Sequence, residues 1–150
     1  MKNISISLRF SKLFILVLSA ALFFSSCDEN DEPKLTKAEE VTALLISGTW
    51  KVGSVLVDDI DRSSVYTGLS ISFTSSGFTT INGGKIFPPS GSWEFTSDDA
   101  TAIERNDGLV IDIISISESQ LKLGFTWTNG TIGTGRVASV SGDHVLTFGK

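Results

Sequence analysis

Several residue types that carry chemistry are scarce in this 150-residue chain: it has one cysteine, one histidine and three prolines. Because Cys27 has no second cysteine to pair with, no disulfide can form within the chain. A single histidine, His144, excludes multi-histidine metal sites. No serine-nucleophile, phosphate-loop or dinucleotide motif is present, and we interpret Asp143-His144 as a turn residue beside a strand residue. We therefore expect no enzyme, no catalytic residue, no metal and no cofactor.

Positive charge is also scarce. The chain has 12 Lys and Arg against 17 Asp and Glu, for a net charge of −5. Residues 1–26 contain three of the basic residues and none of the acids, so the remainder carries a net charge of −8. An acidic chain without basic clusters is a poor match for nucleic acid and is repelled by anionic lipid headgroups. We expect no nucleic-acid partner.

The N-terminus has the pattern of a secretory segment. Three basic residues precede an apolar run at 13–24, and Ser25-Ser26 separates this run from Cys27. The run is shorter than the ~20 apolar residues that span a bilayer, which favours a cleaved signal. The pattern resembles a bacterial lipoprotein signal with Cys27 as the lipid acceptor, although Phe24 stands where an aliphatic residue is usual.

This resemblance implies three parts: a signal peptide at 1–26, a lipidated acidic tether at 27–35 and a folded domain at 36–150. Acyl chains such as palmitate on Cys27 would hold the protein in the membrane, since each buried methylene contributes ~0.8 kcal/mol. Four carboxylates occur within residues 28–32, as in acidic export tags of some surface lipoproteins. We expect an outer-membrane location facing the exterior; the alternative is the periplasmic face.

The domain begins with a helix and continues as strands. Thr36-Lys37-Ala38-Glu39 is a capping-box pattern that predicts a helix at about 37–46. After Gly48 apolar residues alternate with polar ones, and residues such as Asp107-Gly108 favour tight turns between strands. The predicted strands are 49–57, 65–74, 77–82, 91–96, 100–105, 109–117, 120–127, 134–140 and 143–149. Short strands joined by close turns favour an all-β, antiparallel up-and-down meander, and closure into a barrel removes its edges.

Alternation also predicts which side chains face inward. Three predicted strands have one clean apolar face, formed by Leu69, Ile71 and Phe73; Trp93 and Phe95; and Leu121, Leu123, Phe125 and Trp127. The strand at 109–117 is apolar on both faces, so we expect both to be covered, the outer one by the helix. Asp112 interrupts this strand. It either orients a ligand inside a cavity or pairs with Lys37 or a backbone group.

Gly48-Thr49-Trp50 directly follows the predicted helix. This segment, with residues 89–95 and 135–142, resembles the lipocalin-like small β-barrel domains of bacterial surface lipoproteins, and the resemblance covers about 45–150. It implies an eight-stranded up-and-down barrel with a small apolar ligand in its mouth. It also implies that an arginine packs across Trp50, with Arg136 the first candidate and Arg105 the second. The absent disulfide and short strands leave a barrel filled by side chains as the alternative.

Aromatic residues supply the remaining binding candidates. Trp50, Trp93 and Trp127 either line a cavity for an apolar or glycan-like ligand or pack as core. Phe87, in the apolar segment 85–89, either forms a lid or contact surface or closes the barrel as core. The leading hypothesis is a non-catalytic binding module for a small apolar or glycan-like ligand. The alternative is a protein-interaction module, either an accessory subunit of an outer-membrane complex or a protease inhibitor, with a filled barrel and a contact loop at 83–90.

Overall fold

The computed structural model describes residues 34–128 and 141–150. Residues Leu35–Lys150 form one compact unit with its own core, so this part is expected to fold alone. Within the described residues, no helix combines the length and apolar character needed to cross a membrane. The elements of the described part are helix α1 (Lys37–Leu45), strands β1 (Thr49–Val57) and β2 (Ile60–Asp61), a 3-10 helix (Ser63–Tyr66), and strands β3 (Ser70–Phe73), β4 (Gly77–Ile81), β5 (Ser90–Phe95), β6 (Ala102–Arg105), β7 (Val110–Ile116), β8 (Gln120–Trp127) and β9 (Gly142–Gly149).

The strands form a closed eight-stranded antiparallel barrel. From β3 to β9 each strand pairs with the next one along the chain, and β1 pairs with both β3 and β9, which closes the ring. The short β2 pairs only with the end of β1 and lies outside the ring. The up-and-down barrel predicted from the sequence is therefore confirmed. The predicted strand 143–149 is the closing strand, whereas the predicted strand 134–140 lies outside the described residues.

Helix α1 forms where the capping box predicts it. Thr36 Oγ1 accepts a hydrogen bond from the Glu39 backbone N at 3.2 Å, and Glu39 Oε2 accepts one from the Thr36 backbone N at 2.7 Å. The helix buries Val41 and Leu45. Trp50, at the start of β1, donates from Nε1 to the Leu45 carbonyl oxygen at 2.9 Å. This contact holds the helix against the end of the barrel at which β1 begins.

The predicted inward faces are confirmed. Leu69, Ile71 and Phe73 are buried, as are Trp93 and the alternating residues of β8, and Phe95 and Trp127 are partly buried against the same core. Burial of these side chains supplies most of the stabilisation, since a fully buried large apolar side chain contributes about 1.5–3 kcal/mol.

Two predicted strands are shorter than expected. The segment 65–74 begins as the end of a 3-10 helix, and β3 starts only at Ser70. Gly68 separates them with a φ of +77°, which breaks an extended strand. The segment 100–105 becomes strand only at Ala102 because Ala100 adopts a left-handed φ of +53° in the preceding turn.

The expectation for the 109–117 segment was wrong. A β-bulge falls between Ile113 and Ser115, which pair with Leu123 and Lys122. Ile114 stays on the outer face with Val110 and Asp112, whereas the bulge returns Ile116 to the inner face, where it is partly buried. The outer face of β7 is not covered, since Ile114 is 50% exposed and Val110 is 46% exposed.

Candidate functional site

The loop at 82–89, between β4 and β5, plugs the barrel and is called the plug loop here. Ile86 and Phe87 are 1% and 3% exposed and belong to the core. The Phe87 ring meets the Phe125 ring edge to face, with centroids 5.7 Å apart. Phe87 was interpreted either as part of a lid or contact surface or as core that closes the barrel. Its buried position matches the second interpretation.

Local geometry explains why this loop folds inward. The Phe87 backbone N donates to the Gly83 carbonyl oxygen at 3.0 Å. A Cβ atom on Gly83 would lie 2.1 Å from the Phe87 carbonyl oxygen, so only glycine allows this approach. Thr80 Oγ1 donates to the Pro88 carbonyl oxygen at 2.7 Å, which ties the end of the loop to β4.

Arg105, only 3% exposed, fixes the plug loop from the end of β6. Its Nη1 donates to the Ile86 carbonyl oxygen at 2.6 Å, its Nε donates to Asp107 Oδ1 at 3.0 Å, and its Nη2 also donates to that carboxylate. The guanidinium carbon lies 5.6 Å from the Phe78 ring centroid and 5.5 Å from that of Phe87. The hydrogen bonds from Arg105 lower the pKa of Asp107. Arg105 is therefore a buried, fully engaged cation.

The cation over Trp50 is a lysine. Lys150 Nζ lies 4.5 Å from the Trp50 ring centroid and donates to Ser47 Oγ at 2.6 Å. Arg105, the second candidate for this position, does not pack across Trp50, so this prediction was wrong. Its guanidinium instead binds the Ile86 carbonyl of the plug loop. Arg136 lies outside the described residues. Gly48 sits beside the pair, where a Cβ atom would be in ordinary contact, 3.6 Å from the Lys150 side chain.

The barrel interior is filled. The cavity that the described residues enclose at its centre has a volume of about 10 Å³, between aromatic rings and aliphatic side chains of β3, β4 and β6–β8. This is the size of about one water position. Trp93 does not line it; the indole is 5% exposed and donates from Nε1 to the Gly77 carbonyl oxygen at 3.0 Å. Trp50 is likewise packed as core.

A second buried polar contact lies near the start of β9. His144 Nδ1 faces the Gly142 carbonyl oxygen at 3.0 Å and so carries the hydrogen, which leaves Nε2 to accept from the Tyr66 hydroxyl at 2.8 Å. The imidazole stacks on Phe125, with centroids 5.0 Å apart and planes 7° apart. Burial lowers the pKa of His144. Asp143, the next residue, is exposed on the other face of the strand.

A groove crosses β7, β8 and β9 on the outer surface of the described part of the barrel and is called the outer groove here. Its volume is about 900 Å³. Strand β7 contributes Val110, Asp112 and Ile114, and the neighbouring strands contribute Gly124, Thr126 and Asp143. Thr126 Oγ1 donates to Asp143 Oδ1 at 2.6 Å, which fixes that carboxylate beside the groove.

Two of the candidates from the sequence border this groove. Asp112 is exposed on the outer face, which does not match the first of its two interpretations, a position inside a cavity. Its second interpretation named Lys37 as a partner, and Lys37 pairs with Glu40 at 3.5 Å. Trp127, partly buried, lies at one end of the groove. The sequence does contain a pattern that indicates the groove, namely the apolar outer face of the strand at 109–117. We had expected the helix to cover this face.

Comparison with protein-family models, with curated proteins and with solved structures gives no significant match to this chain. The fold itself is a closed eight-stranded antiparallel barrel, compatible with a lipocalin-like fold. Among the residues that the structure describes, no three His, Cys, Asp or Glu side chains cluster as metal ligands would.

Proposed function

We propose that this protein is a lipid-anchored, non-catalytic protein-interaction module of the bacterial outer membrane. The signal at 1–26 is removed, acyl chains on Cys27 enter the membrane, and the acidic tether at 27–35 holds a lipocalin-like barrel on the outside of the cell. The sequence pattern around Cys27 and the four carboxylates that follow it support the anchor and its location.

The filled interior is the observation that carries the choice between the two binding functions. A pocket for a small apolar or glycan-like ligand has a volume of roughly 300–1,000 Å³, whereas the enclosed cavity here has about 10 Å³. Ile86 and Phe87 of the plug loop are buried in the core of the barrel. We therefore assign binding to the outer surface of the barrel. Accessory subunits and inhibitors bind their partner proteins through such a surface.

The contact surface is not the loop at 83–90, because its large apolar side chains are buried. The exposed large apolar side chains of the barrel strands include Val110 and Ile114, both on the outer face of β7. Both side chains line the outer groove, one on each side of Asp112. This shifts the expected contact from the loop to the strands of the outer groove.

The interior is tested with residues 35–150 expressed without the signal. Native mass spectra and intrinsic tryptophan fluorescence are recorded before and after organic extraction. We expect the mass of the bare chain and unchanged fluorescence, since the tryptophans are packed by protein side chains. A co-purifying small molecule, or a fluorescence shift on extraction, would contradict the proposal and restore the small-ligand hypothesis.

The anchor is tested with the full chain and its Cys27→Ser variant in a Gram-negative host. We expect the wild-type protein in the outer-membrane fraction and its barrel cleaved by protease added to intact cells. The variant should lose acylation, measured by labelled palmitate, and leave the membrane fraction. Survival of the wild-type barrel would favour the periplasmic face, and a labelled variant would refute the assignment of Cys27.

A further inference from the structure

The outer groove combines exposed apolar side chains with carboxylates. From this combination we infer that the groove binds an extended segment of a partner protein that presents a lysine or arginine between two apolar side chains. The inference rests on the proposed function and names the partner chemistry of its contact surface.

The apolar part of the groove comes from the outer face of β7. Alternation along the strand places Val110, Asp112 and Ile114 on this face, and Ile114 is 50% exposed. Its side chain lies across Gly124 on the neighbouring strand, where a Cβ atom would be 2.9 Å from Ile114 Cδ1. Val110 is the second exposed apolar side chain along the same strand. Both side chains remain available to bury against a partner.

The charge of the groove has one sign. Asp112 lies between Val110 and Ile114 on β7, and Asp143 lies on β9 with its carboxylate held by Thr126. Among the described residues that line the groove there is no lysine or arginine. Complementary charge sets partner choice and orientation, so the groove favours a cation and disfavours nucleic acid, anionic lipid or an acidic segment.

The spacing of these groups indicates an extended segment. Val110 and Ile114 are four positions apart, about 13 Å along a strand at ~3.3 Å per residue, with Asp112 midway. In an extended peptide, residues i, i+2 and i+4 face the same side at the same spacing. Leucine, lysine and leucine at those positions would place the ammonium beside Asp112 and one leucine beside each apolar side chain.

A matched peptide pair tests the inference. The probe is the peptide Thr-Ser-Leu-Thr-Lys-Thr-Leu-Ser-Thr, and its control carries glutamate in place of lysine. Each is titrated into isotope-labelled residues 35–150 and followed by amide chemical shifts. We expect saturable shifts from the lysine peptide, confined to the outer residues of β7–β9, and no saturation with the glutamate peptide.

Substitutions locate the site and separate its two components. Ile114→Ser should raise the dissociation constant about fivefold, since burial of half an isoleucine is lost. Asp112→Asn should raise it about threefold, since the charge pair with the peptide lysine is lost. Ile81→Ser and Glu118→Gln are the matched controls, because Ile81 is 64% exposed on β4 and Glu118 is exposed beyond β7. Both should bind as the wild type does. If Ile114→Ser fails to fold, Val110→Ser replaces it.

Five results would overturn the inference. The first three are shifts that map elsewhere, equal weakening by the control substitutions, and equal binding of the glutamate peptide. The fourth is a concentration-dependent shift of β7–β9 without peptide, which would indicate a second copy in the groove. The fifth is binding that appears only after removal of residues 129–140, which would assign the groove to the chain itself. A small molecule released by organic extraction refutes the proposed function, whereas these results refute only the groove as its contact surface.

Discussion

Replacement of Phe87 by alanine tests the plug loop most directly. The side chain is 3% exposed, packs edge to face on Phe125, and lies under the Arg105 guanidinium at 5.5 Å. Truncation of a buried phenylalanine costs about 3–5 kcal/mol, because the transfer free energy is lost and a cavity remains. Since small domains have a total stability of about 5–15 kcal/mol, this single change should remove a large part of the free energy of unfolding.

The assay is urea unfolding of residues 35–150, followed by tryptophan fluorescence. We expect a lower midpoint at an unchanged slope, because the surface exposed on unfolding is almost the same. Ile81→Ala is the matched control; its side chain is 64% exposed, so the change should stay within about 0.5 kcal/mol. A cost below about 1 kcal/mol for Phe87→Ala, against the range expected for core, would mean that the plug loop is a lid and that the barrel can open.

Two further predictions concern the buried polar groups. Arg105→Met should destabilise the domain by about 1–3 kcal/mol in the same assay, because it leaves the Ile86 carbonyl without this partner; the Asp107 carboxylate is 45% exposed, so water replaces the arginine there. A loss no larger than that for an exposed arginine would contradict the burial. For His144, whose pKa is lowered by burial, the unfolded chain takes up a proton at a higher pH than the folded chain. Stability should therefore be full above about pH 6.5 and fall below it by at most ~1.4 kcal/mol per pH unit, until the folded-state pKa is reached.

The histidine contribution is measured as the melting temperature between about pH 7.5 and 5, a window that lies above the ordinary pKa of Asp and Glu. His144→Gln is the comparison, since glutamine does not titrate there. The difference between the two melting temperatures should be constant at the alkaline end and should shrink toward the acidic end, because only the wild type loses stability there. Parallel curves across the window would show that His144 is not held neutral by the fold.

Local patterns account for what the sequence predicted correctly. The capping box at Thr36 and Glu39 needs only four consecutive residues, so the helix start could be read directly. The inward faces of β3, β5 and β8 follow from period-two alternation, which depends on one strand at a time. Barrel closure followed from the number of short strands and the need to remove sheet edges.

Features that depend on a partner far along the chain were not predictable. The bulge at Ile114 is set by the register between β7 and β8, and a period-two pattern continues through it unchanged. The position of Phe87 was open because an apolar loop can fold into a barrel or over its rim. The pairing of Lys150 with Trp50 joins residues a hundred positions apart, and no local signal marks it. The outer groove was missed because the outer face of β7 was assigned to a contact with the helix.

The pairing of β1 with β9 has a consequence for how the chain reaches its folded state. Lys51 pairs with Gly149 and Val57 with His144, so the two strands that close the ring are the first and the last strands of the barrel in chain order. Contacts of such high sequence separation slow folding toward the millisecond-to-second range. Until the final strand arrives, β1 and β8 have open edges that can pair with other chains. Ring closure therefore waits for β9, and the interval before it is when the domain is most vulnerable to aggregation and proteolysis.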